Sequence, residues 1–203
     1  MNQRGRPKTF EREEALEAAM LLFWERGFEQ TSVDEVAGVM GIRTSSLYSS
    51  FGDKEALFLA AVDHYRAGDG RYYDTAVNDG KTAKEGFTKL FEFSAEEMTR
   101  PGRPKGCMVT LALPTCSPKY EELQQELDRL RDLSTGIWVK RLKEAVRAKV
   151  IPESTDLELL ATFFRTTLCG MSLQARTGAS KQTLLDIGKM ALQVWPSAPS
   201  AKA

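Results

Sequence analysis

Apolar residues recur every three or four positions along most of this chain, which is the spacing of one face of an α-helix. One such stripe runs from Phe10 to Phe23 and stops at Gly27, and another follows Asp53 and continues at least to Arg66. Further stripes predict helices from Phe87 to Met98, from Tyr120 to about Lys149, from about Asp156 to Arg176 and from about Lys181 to Trp195. No segment shows a convincing strand pattern, so the sequence predicts an all-α fold.

Two short helices joined by a tight turn are predicted between Ser32 and Phe51. Ser32 is followed three residues later by Glu35, and serine and glutamate at this spacing satisfy free amide groups at the start of a helix. The helical spacing continues to Met40, and Gly41 then allows the backbone to turn. This order of elements is typical of helix-turn-helix proteins, which read DNA with the second helix.

The second of these helices is predicted from Arg43 to Phe51. Leu47 and Phe51 lie four residues apart and can both anchor it to a core. The positions left for solvent are Thr44, Ser45, Ser46, Tyr48 and Ser49. Apart from Arg43 the helix has no charged residue, so its exposed face offers hydroxyl groups that can hydrogen-bond to phosphates or base edges.

The segment from Thr31 to Leu57 resembles the TetR family of bacterial transcriptional regulators through the pattern T-S-V-x-x-V-A-x-x-x-G-I-x-x-x-x-L-Y-x-x-F-x-x-K-E-x-L. The resemblance implies an N-terminal three-helix DNA-binding domain and a larger C-terminal helical domain for ligand binding and dimerisation. We expect a flexible basic arm at residues 1–8, the DNA-binding domain at 9–52, the ligand-binding and dimerisation domain at 53–195 and a disordered tail at 196–203.

The resemblance also implies roles for individual side chains. By position, Thr44, Ser46 and Ser49 would face bases or phosphates, Tyr48 would place its hydroxyl on a phosphate, and Lys54 would meet the DNA backbone. Thr31 and Ser32 would offer amides and hydroxyls in the same way. The chain departs from the commonest family pattern at Arg43, Thr44 and Ser45, which leaves its base preference open.

A basic segment, Arg4-Gly5-Arg6-Pro7-Lys8, precedes the first helix. It matches the core of an AT-hook, in which extended arginines enter a narrow A/T-rich minor groove. A terminus that only improves solubility is the alternative. Because an arm placed before a helix-turn-helix can reach the adjacent minor groove, we expect Arg4, Arg6 and Lys8 to contact DNA.

Charge alone does not indicate a nucleic-acid-binding protein. The 203 residues include 28 basic and 28 acidic ones, and the segment up to Arg66 has 8 basic and 11 acidic residues. Positive charge must therefore be arranged locally if this part binds DNA. No apolar run reaches membrane-spanning length and no secretory signal opens the chain, so we expect a cytoplasmic protein with reduced cysteines.

The two last predicted helices have more apolar surface than one protomer needs. A second face on the penultimate helix, helped by the last helix, predicts a four-helix interface between two copies of the chain. The residues expected there are Phe163, Thr167, Gly170, Gln174, Leu184, Ile187, Ala191 and Val194. The alternative is a helix buried on all sides within one chain.

Aromatic and sulfur-containing side chains concentrate in the middle of the chain. Those that could line a cavity for a largely apolar molecule are Phe87, Phe91, Met98, Cys107, Met108, Tyr120 and Trp138. Such stripes also occur in ordinary cores. The resemblance implies a homodimer bound to a palindromic double-stranded operator. It also implies an unidentified small-molecule inducer that moves the two DNA-binding domains (the reading heads) apart and so releases the dimer from the operator.

Cys107 supports an alternative, a repressor that senses electrophiles or oxidants through this thiol, because Arg103 and Lys105 precede it and cations lower the pKa of a thiol. A small buried cysteine is the simpler explanation. An enzyme that reuses the helix-turn-helix is less favoured, since His64 is the only histidine and no phosphate-binding glycine loop occurs. We expect no catalytic residue, cofactor or metal. A DNA-bending architectural protein would need a dispersed basic surface, which the chain lacks.

Overall fold

The structure, a computed structural model, describes residues 8–111 and 118–196, and every regular element in these two ranges is helical. The prediction of an all-α fold is confirmed. The helices are α1 (Lys8–Arg26), α2 (Val33–Val39), α3 (Thr44–Phe51), α4 (Lys54–Ala67), α5 (Tyr72–Thr75), α6 (Ala83–Glu97), α7 (Met108–Leu111), α8 (Glu121–Arg147), α9 (Leu157–Arg176) and α10 (Lys181–Ala191). Short 3₁₀ turns cover Ala76–Asn78, Pro118–Tyr120 and Leu192–Val194.

The chain forms two compact units. The first comprises the described residues up to Gly70 together with those between Cys107 and Leu123. The second comprises Arg71–Gly106 and the described residues from Gln124 onward. The long helix α8 therefore begins in the first unit and continues into the second. None of the helices in the described ranges has the length and apolar character needed to cross a bilayer.

An aromatic core holds the first unit together. Phe23, Phe28 and Phe58 are fully buried, and the rings of Phe23 and Phe58 meet edge to face with centroids 5.2 Å apart. Edge-to-face pairs of this kind add to the stabilisation that comes from burial alone. On the outer side of the same helices, His64 Nε2 lies 2.9 Å from Glu17 Oε2 and links α4 to α1. These contacts give the short helices α2 and α3 a rigid support.

A second aromatic core lies in the other unit. Phe87, Trp138 and Phe164 are buried there, and the ring of Phe87 lies within 5.0 Å of that of Phe164 and 6.2 Å of that of Trp138, between centroids. Gly188 of α10 packs against Phe91 so closely that an added Cβ would lie 2.8 Å from the Phe91 Cβ. The helices α6, α9 and α10 thus pack as one layer around these rings.

The segment from Tyr72 to Asn78 is helical, although it lies between the apolar stripes from which helices were predicted. Its two short pieces depend on α8, since Trp138 Nε1 donates to the carbonyl of Tyr73 at 2.9 Å and Arg141 donates to the carbonyl of Val77. Helices this short are marginal alone and need such tertiary contacts.

The end of α8 also differs slightly from the prediction. The helix ends at Arg147 rather than near Lys149, because Lys149 has a φ of 58°, which lies outside the right-handed helical region.

Candidate nucleic-acid interface

The turn between α2 and α3 is closed by backbone hydrogen bonds. Met40 caps the C-terminal end of α2, and Gly41 follows with a φ of +67°. The amide of Ile42 then donates to the carbonyl of Ala37 at 3.1 Å. Glycine adopts a positive φ without the steric cost that other residues incur. The predicted helix-turn-helix between Ser32 and Phe51 is therefore confirmed.

One side of α3 is buried and the opposite side is open. Leu47 is fully buried and anchors the helix, whereas Tyr48 is 49% exposed. Ser45, Ser46 and Ser49 are also exposed, and Thr44 is half-buried. Arg43 precedes the helix and is exposed, and its side chain makes no capping hydrogen bond. The open face thus carries the hydroxyl groups of Ser45, Ser46, Tyr48 and Ser49, with one cation, Arg43, at its start.

The hydroxyl of Thr44 is oriented by an acidic residue that the sequence did not single out. Thr44 Oγ1 donates to Asp34 Oδ1 of α2 at 2.8 Å. Because the proton of the hydroxyl is used in this bond, its oxygen is left to accept a hydrogen bond from outside. Asp34 lies ten residues earlier, and no sequence spacing indicates such a pair across a turn.

Thr31 has a structural role that differs from the expected DNA contact. Its side chain is fully buried, and its Oγ1 donates to the carbonyl of Gly27 at 2.7 Å. Its amide donates to the carbonyl of Phe28 at 3.3 Å. Both donors are used inside the protein, where they stabilise the turn between α1 and α2. The expected phosphate contact of Thr31 stays a prediction.

Ser32 caps α2 together with Glu35. The Glu35 amide donates to Ser32 Oγ at 3.2 Å, and the Ser32 amide donates to the Glu35 carboxylate at 2.8 Å. The Ser32 amide above all, and the Ser32 hydroxyl, which also donates to the Glu35 carboxylate at 2.9 Å, lower the pKa of Glu35 below its ordinary 4.5. Arg26 pairs with the same carboxylate at 2.8 Å. The predicted capping box is confirmed, and Ser32 itself remains exposed.

Lys54 is the first residue of α4, which Asp53 caps by accepting from the amide of Ala56 at 2.7 Å. The Lys54 ammonium lies 4.3 Å from the centroid of the Phe28 ring. Partial burial against this ring lowers the pKa of Lys54, and the nearby Lys119 lowers it further. The side chain is half-buried.

Part of the expected interface lies outside the described residues. Arg4 and Arg6 of the basic arm belong to the undescribed residues 1–7, and Lys8 is the first residue of α1. Of the expected tail, residues 197–203 are likewise outside the described ranges. The minor-groove role of the arm remains a prediction.

Comparison with known proteins identifies the family. The family model for bacterial regulatory proteins of the tetR family matches residues 15–61, which span α2, α3 and parts of α1 and α4. The HTH-type transcriptional repressor ComR of Escherichia coli K12 is 31% identical over 194 residues, 95% of this chain and 92% of ComR. The chain belongs to the TetR family.

Other relatives of this TetR-family chain agree with that assignment. The HTH-type transcriptional repressor BdcR of Escherichia coli K12 is 28% identical over 187 residues, 92% of this chain and 90% of BdcR. A solved structure of the TetR-family regulator CifR, a cysteine mutant in complex with 26 bp operator DNA, superposes with a TM-score of 0.88 at 36% identity and covers 95% of this chain and 100% of CifR. The similarity therefore extends beyond the helix-turn-helix to the whole chain.

The residues expected to line a ligand cavity are divided between the two units of this TetR-family chain. Phe87, Phe91, Met98 and Trp138 are buried in the second unit, whereas Cys107, Met108 and Tyr120 belong to the first. A pocket of about 480 Å³ lies beside the end of α6 and the α9–α10 turn, and none of these side chains lines it. Cys107 is buried, with 3% of its surface exposed.

The expected dimer residues fall into two groups. Phe163, Gly170, Gln174 and Val194 are exposed, and Thr167 and Ile187 are half-buried. Leu184 and Ala191 are already covered by helices of their own chain, because the buried side of α10 faces α6. Sequence reasoning missed three of the most exposed apolar residues, Leu159, Leu173 and Met190. Their helical spacing from Phe163 and Val194 was the available signal.

Titratable groups elsewhere do not form a metal site within the described part of the chain. No group of three or more histidine, cysteine, aspartate or glutamate side chains suited to hold a metal ion occurs in residues 8–111 and 118–196.

Proposed function

We propose that this protein represses transcription as a homodimer bound to a palindromic operator, and that a small-molecule inducer releases it. The observation that carries the proposal is the open face of α3. This face presents Tyr48 and the hydroxyls of three serines, while Leu47 anchors the opposite side of the helix. Membership of the TetR family and the operator complex of CifR support it. Because its target is chromosomal DNA, the protein would act in the cytoplasm.

Recognition would use α3 in the major groove. Ser46 contributes a hydroxyl that can both donate and accept. The hydroxyls of Thr44 and Ser49 donate to Asp34 and to the carbonyl of Ser46, so each contributes an acceptor. In the major groove the amino groups of adenine and cytosine are the donors that such an acceptor can read. Tyr48 and Lys54 would bind phosphates and fix the position of the helix.

Dimerisation would use the exposed apolar stripe of α9 with the adjoining face of α10. Leu159, Phe163 and Leu173 lie along one side of α9, and Met190 and Val194 are exposed on the following segment. Exposed apolar residues gathered in one stripe are typical of a surface that a partner covers. A two-fold axis through this stripe would present two reading heads to successive major grooves, about 34–36 Å apart on straight DNA.

Induction would act through the second unit. Its buried aromatic residues Phe87, Phe91 and Trp138 are the side chains that an apolar ligand would displace or contact, since ligand sites are lined mainly by such groups. A ligand that binds the unit better in one arrangement than in another shifts the population towards that arrangement. We propose that the favoured arrangement separates the reading heads and lowers operator affinity.

Selection of bound fragments from randomised DNA tests the DNA-binding proposal. We expect an enriched palindrome whose half-sites have centres about one helical turn apart. Ser46→Ala should change the preferred bases, whereas Lys54→Ala should weaken all sequences similarly and reduce the salt slope by about 0.9. Lys143→Ala, which removes an exposed lysine of α8, is the control. Failure to enrich any sequence would refute the proposal.

Light scattering combined with size-exclusion chromatography tests the dimer. Phe163→Glu and Leu173→Glu each place a charge on the stripe, so we expect monomers that bind the operator weakly. Lys143→Glu introduces a glutamate at an exposed position of α8, a helix that does not contribute to the stripe, and should leave a dimer. A dimer that persists in both stripe variants would show that another surface joins the two copies.

A further inference from the structure

Two lysines and two aromatic rings form a cluster in the first unit. The rings of Phe28 and Tyr120 meet edge to face, with centroids 4.9 Å apart and an interplanar angle of 89°. The Lys54 ammonium lies 4.3 Å from the Phe28 centroid, and the Lys119 ammonium lies 5.0 Å from that of Tyr120. We call these four residues the cation–ring cluster. Two of its members come from the helix-turn-helix region and two from the turn before α8.

The rings hold the two ammonium groups in place. A lysine above the face of an aromatic ring is attracted by the negative potential of that face, and the attraction grows as the site loses water. Phe28 is fully buried, so its position is fixed by the core. Tyr120 is fixed against Phe28 in turn, and Lys119 is exposed beside it. Both cations therefore lie against rings that belong to one packed pair.

The positive charge of Lys119 acts on Lys54. Lys119 is among the causes that lower the pKa of Lys54, after burial and after the opposing effect of Glu29. Glu35 and Glu55 also favour the charged lysine, but the Glu35 carboxylate already accepts from Ser32 and Arg26. An anion that approached both lysines would relieve this repulsion, and a DNA phosphate is such an anion.

We infer that Lys119 is a second phosphate contact for operator DNA, and that it binds together with Lys54 as the cationic part of the cation–ring cluster. The inference rests on the proposed function, because it needs the α2–α3 head to bind DNA. It extends the interface beyond the helix-turn-helix to a residue 65 positions further along the chain than Lys54. It also gives Tyr120 a role as a positioning residue for DNA binding, rather than as the ligand contact that the sequence indicated.

Operator affinity measured by fluorescence anisotropy between 0.05 and 0.5 M salt tests the inference. Each phosphate contact contributes about 0.9 to the slope of log affinity against log salt. We expect Lys119→Ala to reduce the slope by about 0.9 and to weaken binding about 8-fold at 0.1 M salt, the fold-change which that slope gives over one decade. The double variant with Lys54→Ala should lose about 1.8. Lys143→Ala should bind as the wild type does.

Variants of the ring distinguish positioning from charge. Tyr120→Phe keeps the ring and should bind the operator normally. Tyr120→Leu removes the ring without changing the charge, so it should weaken operator binding only when Lys119 is present. Unchanged circular dichroism and melting of the first unit would show that each variant folds.

The outcomes distinguish a failure of the inference about Lys119 from a failure of the proposed function. If the wild-type protein selects no operator, the proposed function itself is wrong. If the wild type binds but the salt slope of Lys119→Ala is unchanged, the inference is wrong and the proposed function stands. This conclusion applies even if Lys119→Ala binds the operator more weakly. An additive effect of Tyr120→Leu in the Lys119→Ala background would refute the positioning role.

Discussion

Thr31 provides a direct test of how the turn between α1 and α2 supports the helix-turn-helix. Its buried Oγ1 donates to the carbonyl of Gly27 at 2.7 Å, so Thr31→Val keeps the shape of the side chain and deletes only this hydrogen bond. The Gly27 carbonyl then loses its donor in a partly buried place. Leaving such a group unsatisfied costs about 1–3 kcal/mol. We expect the turn between α1 and α2 to weaken by that amount.

Hydrogen exchange of the α2 amides measures this loss without requiring that the whole chain unfold in one step. A loss of about 1–3 kcal/mol corresponds to opening that is roughly 5- to 150-fold more frequent, so α2 should exchange faster by that factor. Thr88→Val is the matched control, because Thr88 Oγ1 makes the same kind of bond to the carbonyl of Lys84 at 2.9 Å on the exposed side of α6. That variant should leave α2 unchanged.

Operator affinity and α2 exchange together decide between the two roles of Thr31. A hydroxyl carries no charge, so the salt slope should stay unchanged in Thr31→Val under either role. If Thr31 only supports the turn, Thr31→Val should raise α2 exchange and lower operator affinity together. A lower operator affinity with an unchanged exchange rate in α2 would show that Thr31 contacts a phosphate and that the buried hydrogen bond contributes little.

Three further predictions concern other parts of the chain. Gly86→Ala would push a Cβ into the backbone carbonyl oxygen of Val77, and it should destabilise the protein by roughly 1–3 kcal/mol in thermal melting. Gly136→Ala meets no atom within 4 Å and should be neutral or stabilising; equal melting temperatures for the two variants would contradict this. The pKa of Glu35 is lowered, so its stabilisation of α2 should be complete above pH 4.5 and decline as the pH falls through the lowered pKa. Glu35→Gln should therefore exchange its α2 amides faster than the wild type at pH 7, and this difference should fade in strong acid. A difference that persists in strong acid would show that the carboxylate is not its cause. Because Cys107 is buried and Cys169 is not, mass spectrometry after alkylation should find Cys107 modified far more slowly, and rapid modification of Cys107 would instead favour thiol-based sensing.

Local signals were sufficient to predict the helix-turn-helix. Ser32 and Glu35 mark the start of α2, Gly41 marks the turn, and Leu47 marks the buried side of α3. Each signal acts between residues at most four positions apart, where the geometry of a helix fixes which groups meet. The sequence could therefore specify the element that carries the proposed function.

Contacts between distant residues could not be predicted in the same way. The helical turns after Tyr72 are supported by Trp138 and Arg141, more than sixty residues away. The pair of Phe28 and Tyr120 is even more distant in sequence. Periodicity shows that a helix has an apolar face but not which neighbour covers it, so Leu184 was expected at a dimer interface although its own chain buries it.

The lack of charge on α3 affects how the protein would be distributed over a chromosome. Affinity for arbitrary DNA comes almost entirely from neutralised phosphates, and a recognition helix with hydroxyl groups and no lysine adds little to it. A genome offers on the order of 10⁶–10⁹ competing sites, and weak retention at each of them leaves more of the protein free. A small number of molecules per cell would then be sufficient to keep one operator occupied.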